Sequence, residues 1–70
     1  MEFIPERLLI LRQIEKFSMR ELGEKVGVSH TAISNYEKGR NRPNPAVIIK
    51  LAKTFEVSTE YFFKPFKTEI

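Results

Sequence analysis

SMRELGEKVGVSHTAISNYEKG, Ser18–Gly39, has the signals of two short helices and the turn between them. Ser18 followed three residues later by Glu21 has the form of a capping box, in which side chain and backbone satisfy each other at a helix start. Gly27 suits the stop and Ser29 a second N-cap, with Gly39 as the residue that lets the chain leave that helix in a left-handed conformation. Leu22, Val26, Val28, Ile33 and Tyr36 supply the apolar side. Gly23 lies inside the first of the two helices, where glycine costs about 1 kcal/mol relative to alanine. Something should use the missing side chain, and the simplest user is the second helix, crossing closely over a tight glycine turn.

Outward from this pair the same signals continue. Towards the N-terminus a helix is predicted over Pro5–Lys16, with proline at its first position and Leu8, Leu11 and Glu15 on one side. Towards the C-terminus Asn44 caps a helix that opens with Pro45 and carries a stripe of Val47, Ile48, Leu51, Ala52 and Phe55. Ser58 can cap a short last helix through Tyr61, Phe62 and Phe63. No segment has the period-two alternation of a strand. The prediction is an all-α chain, a compact five-helix bundle, with residues 1–70 forming one domain and the paired helices at about 18–38.

Composition removes several classes of function. With 41% hydrophobic and 30% charged residues the chain is that of an ordinary globular domain. It has no cysteine and a single histidine, His30, so neither a disulfide nor a thiolate zinc site is expected, and no metal or cofactor is assigned. No apolar run approaches the roughly 18–20 residues of a membrane span, and the N-terminus MEFIPER has no secretory pattern, so a cytoplasmic location is expected. No metalloprotease, nucleophile-elbow or phosphate-loop motif occurs, and an enzyme is not expected.

The net charge of +3 is only mildly basic, but its distribution is uneven. No acidic residue lies between Glu37 and Glu56, whereas Lys38, Arg40, Arg42, Lys50 and Lys53 all do. A solvated basic face and a nucleic-acid patch both fit that charge pattern. The stretch Gly27–Pro43 thus exposes small hydrogen-bonding side chains first and a basic run after them.

Those residues, with others along the chain, carry a resemblance. LxxLR at Leu8, Leu11 and Arg12; Ser18; REL at Arg20–Leu22; VGVS at Val26–Ser29; Ile33, Tyr36, Glu37, Gly39 and Pro43; and KLAKTFEVSTEYFF from Lys50 together resemble the Cro/C1-type (XRE) helix-turn-helix family. The match runs from Arg7 to Phe63, about four-fifths of the chain. It implies a lambda-repressor-like fold, a helix-turn-helix made by the second and third helices, and sequence-specific binding of double-stranded DNA by a transcriptional repressor.

The resemblance also implies a site. A helix in the major groove reads base edges with side chains near its N-terminus. The matching residues are His30, Thr31 and Asn35, with Ala32 beside them: Asn35 can pair with adenine, Thr31 can meet a thymine methyl, and His30 can bond a purine or be a plain surface histidine. Ser18, Met19 and Ser29, with Lys38, Arg40, Asn41 and Arg42, are assigned to phosphates. Arg12 and Glu37 match an ion pair that orients the reading helix.

Three departures stand out. Met19 replaces the usual phosphate-contacting glutamine, Glu56 replaces a helix-ending glycine, and Leu9, Ile10 and Ile14 add apolar residues to the first helix. Ile10 and Ile14 form a second stripe, about 40° apart on the helix. Either the C-terminal aromatics Tyr61, Phe62, Phe63 and Phe66 fold onto it, or they join it as a patch for a second copy or another protein. The family's symmetric dimers on inverted repeats imply a homodimer on DNA, and a regulatory protein partner or antitoxin-type role is the alternative. The tail EYFFKPF also resembles the point at which some members continue into a zinc-dependent peptidase-like domain, so the chain can be part of a longer regulator.

Overall fold

The computed structural model describes residues 2–64. In chain order it contains β1 (Glu2–Phe3), α1 (Pro5–Ile14), α2 (Met19–Val26), α3 (His30–Glu37), α4 (Pro45–Phe55), a 3-10 turn (Thr59–Phe62) and β2 (Phe63–Lys64). Four of the five expected helices are α-helices, and the fifth is a single 3-10 turn of four residues. Nor is the chain strictly all-α. β1 and β2 pair antiparallel, Glu2 opposite Lys64 and Phe3 opposite Phe63, and the Ile4 amide extends the pairing by donating to the Phe62 carbonyl at 2.7 Å. Strands of two residues are too short to show an alternating pattern. Their cause is tertiary: Phe3 is buried and lies 6.3 Å from the Phe62 ring and 6.1 Å from the Phe63 ring, so the N-terminal residues are drawn alongside the end of the fold.

Local side-chain chemistry starts each later helix. At α2 the Glu21 amide donates to Ser18 Oγ at 3.0 Å and the Ser18 amide to Glu21 Oε1 at 2.7 Å, which completes the capping box. At α3 the Ala32 amide donates to Ser29 Oγ at 3.0 Å, and at α4 the Val47 amide donates to Asn44 Oδ1 at 2.9 Å.

The helix ends share one solution. After each α-helix a residue enters the left-handed region, at Lys16, Gly27, Gly39 and Glu56, with φ of 61°, 78°, 76° and 57°. The next amide then reaches back five residues, as Phe17 does to Arg12 O, Val28 to Gly23 O, Arg40 to Asn35 O and Val57 to Ala52 O. α1 therefore stops at Ile14, short of the predicted Lys16, because Lys16 is already the reversing residue. Lys16 and Glu56 adopt without glycine a conformation that costs a side chain about 1–2 kcal/mol.

Leu8, Leu22, Val26, Ile33, Leu51 and Phe62 fill the centre of one core to which every helix contributes. Gly23 is what brings α2 and α3 together. A Cβ on it would stand 2.5 Å from the Val28 carbonyl oxygen and 3.3 Å from the Ser29 carbonyl carbon, both backbone atoms of the turn. Gly23→Ala should therefore lower stability by roughly 1–3 kcal/mol despite alanine's better helix propensity, because the turn must move to admit the methyl. A urea titration checks this; an unchanged or higher midpoint would mean the turn yields freely.

Candidate nucleic-acid interface

α3 has two sharply different sides. At about 100° per residue, His30, Ser34, Lys38, Thr31 and Asn35 fall within one arc of roughly 140°. Ala32, Tyr36, Ile33 and Glu37 fall within the opposite arc. The first set is exposed or half-exposed; in the second, Ile33 and Tyr36 are buried and Ala32 and Glu37 are partly so. The outward arc is polar throughout, and no acidic residue lies in the first turn. His30 and Thr31 precede the first backbone bond of the helix, from the Ile33 amide to the Ser29 carbonyl at 3.2 Å, so their amides face away from the chain and suit an anion.

The basic run continues from this helix. Lys38, Arg40, Asn41 and Arg42 are all exposed, and the Arg40 and Asn41 amides donate to the Asn35 carbonyl at 2.9 and 3.4 Å, which folds the loop back onto the end of α3. Lys50, counted in the acid-free basic interval but not assigned to a phosphate, joins them: its ammonium reaches from α4 to 3.7 Å from the position a Cβ on Gly27 would occupy. The glycine leaves room for it, and spacing along the sequence gives no hint of this contact.

Three of the assigned phosphate residues have side chains already engaged within the fold. Met19 is half-buried and packs against the core, so its side chain is turned inward and only the backbone of that helical turn is left for a phosphate. The Ser18 and Ser29 hydroxyls each accept a capping amide, which leaves the O–H of each able to donate outward.

Arg12 and Glu37 are paired across the fold. Arg12 Nε donates to Glu37 Oε2 at 2.5 Å, Nη2 to Oε1 at 3.1 Å, and Nη1 to the Phe17 carbonyl at 2.9 Å. The two side chains are only 13% and 5% exposed. One guanidinium thus links α1, the corner before α2 and the end of α3 in the planar, bidentate geometry that arginine favours.

The expected apolar patch divides. Ile10 and Ile14 are 46% and 64% exposed, and no described residue covers them. Phe62 is completely buried and Phe63 is packed against the core, which removes Phe62 from any surface; Phe66 lies outside the described residues. A third exposed apolar side chain is Ile49 on α4, in a shallow groove with Arg42, Pro43, Pro45 and Phe63. Among the described residues no helix is long and apolar enough to cross a membrane.

A short helix crossing tightly onto a second, with its polar side outward and a basic loop behind it, defines a helix-turn-helix domain. The helix-turn-helix family (HTH_3) matches residues 8–62, and the chain belongs to that family. Repressor protein C2 of Salmonella phage P22 is 33% identical over 63 residues, 90% of this chain and 29% of the relative. The regulator ImmR of Bacillus subtilis is 32% identical over 56 residues, 80% of this chain and 44% of the relative. The chain spans half or less of the length of these curated relatives. The crystal structure of the P22 c2 repressor in complex with a synthetic operator superimposes with a TM-score of 0.85 at 33% identity, covering 91% of this chain and 97% of that one. That of the biofilm master regulator SinR in complex with DNA gives 0.78 at 26% identity, covering 86% and 100%.

Proposed function

We propose that the chain is the sequence-specific DNA-binding domain of a transcriptional repressor, acting in the cytoplasm on an inverted-repeat operator. The observation that carries this reading is the division of α3 and its loop into a polar arc and an acid-free basic run. His30, Thr31 and Asn35, with Ala32 allowing close approach, read base edges; Ser18, Ser29, Lys38, Arg40, Asn41 and Arg42 hold phosphates. P22 c2 and SinR, each crystallised with DNA, support the assignment. An inverted repeat needs two copies, and Ile49 beside Arg42 gives apolar surface next to the DNA-facing loop for that contact. Ile10 and Ile14, exposed on α1, favour in addition a protein partner that regulates the domain.

The test separates reading from anchoring. Asn35→Ala should cost about 1–3 kcal/mol on the preferred site and little on random DNA. Arg42→Ala should weaken both and lower the slope of log affinity against log salt by roughly one. Equal losses on both duplexes for Asn35→Ala would take that residue out of the reading role.

A further inference from the structure

We infer that Pro5 is a positioning residue for DNA binding: its ring backs the turn at Gly39 and so sets where the basic loop Lys38–Arg42 presents its charges to phosphates. This rests on the phosphate assignment of that loop and adds to it a residue from the start of α1.

The loop is fixed at its two ends. The amides of Gly39, Arg40 and Asn41 donate back to the Tyr36 and Asn35 carbonyls at 3.2, 2.9 and 3.4 Å, which holds its first turn. After that turn the run stays exposed until Pro43, which is buried. At the reversal itself another part of the chain comes close. A Cβ on Gly39, whose φ is 76°, would stand 3.4 Å from Pro5 Cγ, at van der Waals contact, so the proline ring lies directly behind the reversing residue. A loop free to swing must lose that freedom when it meets DNA, whereas a backed loop carries its charges to the phosphates at a set spacing.

Pro5 is itself held from both sides. It is the first residue of α1, where its fixed φ suits the helix and its missing N–H forfeits no bond. Ile4 before it gives α1 no side-chain cap; the Ile4 amide donates instead to the Phe62 carbonyl at 2.7 Å, in line with the β1–β2 pairing. The place of the ring is therefore set by the strand pair on one side and by the helix it opens on the other. The same strand pair reaches the other end of the loop, since Phe63 of β2 lines one groove with Arg42, Pro43 and Pro45. Closure of β1 on β2 is thereby tied to the grip on DNA.

The experiment titrates the wild-type chain, Pro5→Ala and Pro5→Val against a duplex selected by the wild type and against random DNA, each over a range of salt. Alanine is a good helix former, and circular dichroism with a melting curve verifies that both variants are folded at the titration temperature. Pro5→Ala should bind about three- to tenfold more weakly to both duplexes and lower the slope of log affinity against log salt by roughly one, with the ratio between the duplexes unchanged, as when one phosphate contact slips. Pro5→Val, which keeps apolar bulk beside Gly39, should recover most of the loss. A proline needed only to start α1 would move the melting temperature and neither affinity nor salt slope. A folded Pro5→Ala with wild-type affinity and slope therefore overturns the positioning role. So does a loss confined to the selected duplex, a Pro5→Val no better than Pro5→Ala, or a failure of both variants to fold. A wild-type chain that binds neither duplex overturns the DNA-binding reading itself.

Discussion

Arg12→Met and Glu37→Gln are each expected to lower the stability of the domain by about 3–5 kcal/mol, because either change strands a nearly buried charge. The Arg12 side chain is 13% exposed and that of Glu37 5%, and three hydrogen bonds converge on the guanidinium. A chain of this length has a total stability of roughly 3.5–10 kcal/mol, so each single variant should lose a large part of its margin. The double variant Arg12→Met with Glu37→Leu should cost less than the sum of its parts, since it leaves no unpaired charge and fills the space with apolar atoms. Chemical denaturation of the wild type and three variants gives the coupling directly. A coupling near zero would mean that the two groups act independently despite their geometry. Even where the double variant folds, its affinity for the preferred site should fall, because the link between α1 and the end of the reading helix is gone.

The second large effect is expected at the chain's first strand. Phe3→Ala should cost about 3–5 kcal/mol, as for a large aromatic removed from a core, although it stands close to the N-terminus, where substitutions are usually tolerated. Phe3 is buried between the rings of Phe62 and Phe63, and its strand closes the fold against β2. Arg7 reinforces the same junction: its Nη1 donates to the Tyr61 carbonyl at 2.7 Å and its guanidinium lies 5.0 Å from the Tyr61 ring centre. Thermal or urea unfolding measures the loss. A change below about 1 kcal/mol would show that the strand pair is a loose attachment and the core is complete without it.

What the sequence made legible, and what it did not, follows from the range of the interactions involved. Helix starts at Ser18, Ser29 and Asn44 were readable because a capping side chain bonds an amide within three residues of itself. Helix ends were readable only at Gly27 and Gly39. At Lys16 the same reversal is made without glycine, and α1 was predicted to run too far; the left-handed Glu56 is the position where the absent glycine had already drawn notice. The Phe3 strand was not legible, since its partner is sixty residues away in sequence, at Phe63. Nor could the residues alone show Arg12 meeting Glu37, which entered only through the family resemblance. Met19 was assigned to a phosphate only through the family resemblance, where it stands in place of a glutamine, and core packing takes its side chain inward.

All of the functional account depends on α3 and its loop being the surface that meets DNA. The most direct measurement is the amide NMR spectrum of the isotope-labelled chain titrated with a duplex selected from a random pool. DNA held by α3 and its loop should give saturable shifts largest at His30, Thr31 and Asn35 and across Lys38–Arg42, with smaller ones at the Ser18 corner and little change at Ile10 and Ile14. Shifts centred on α1, or spread evenly over every exposed lysine and arginine without saturation, would contradict it.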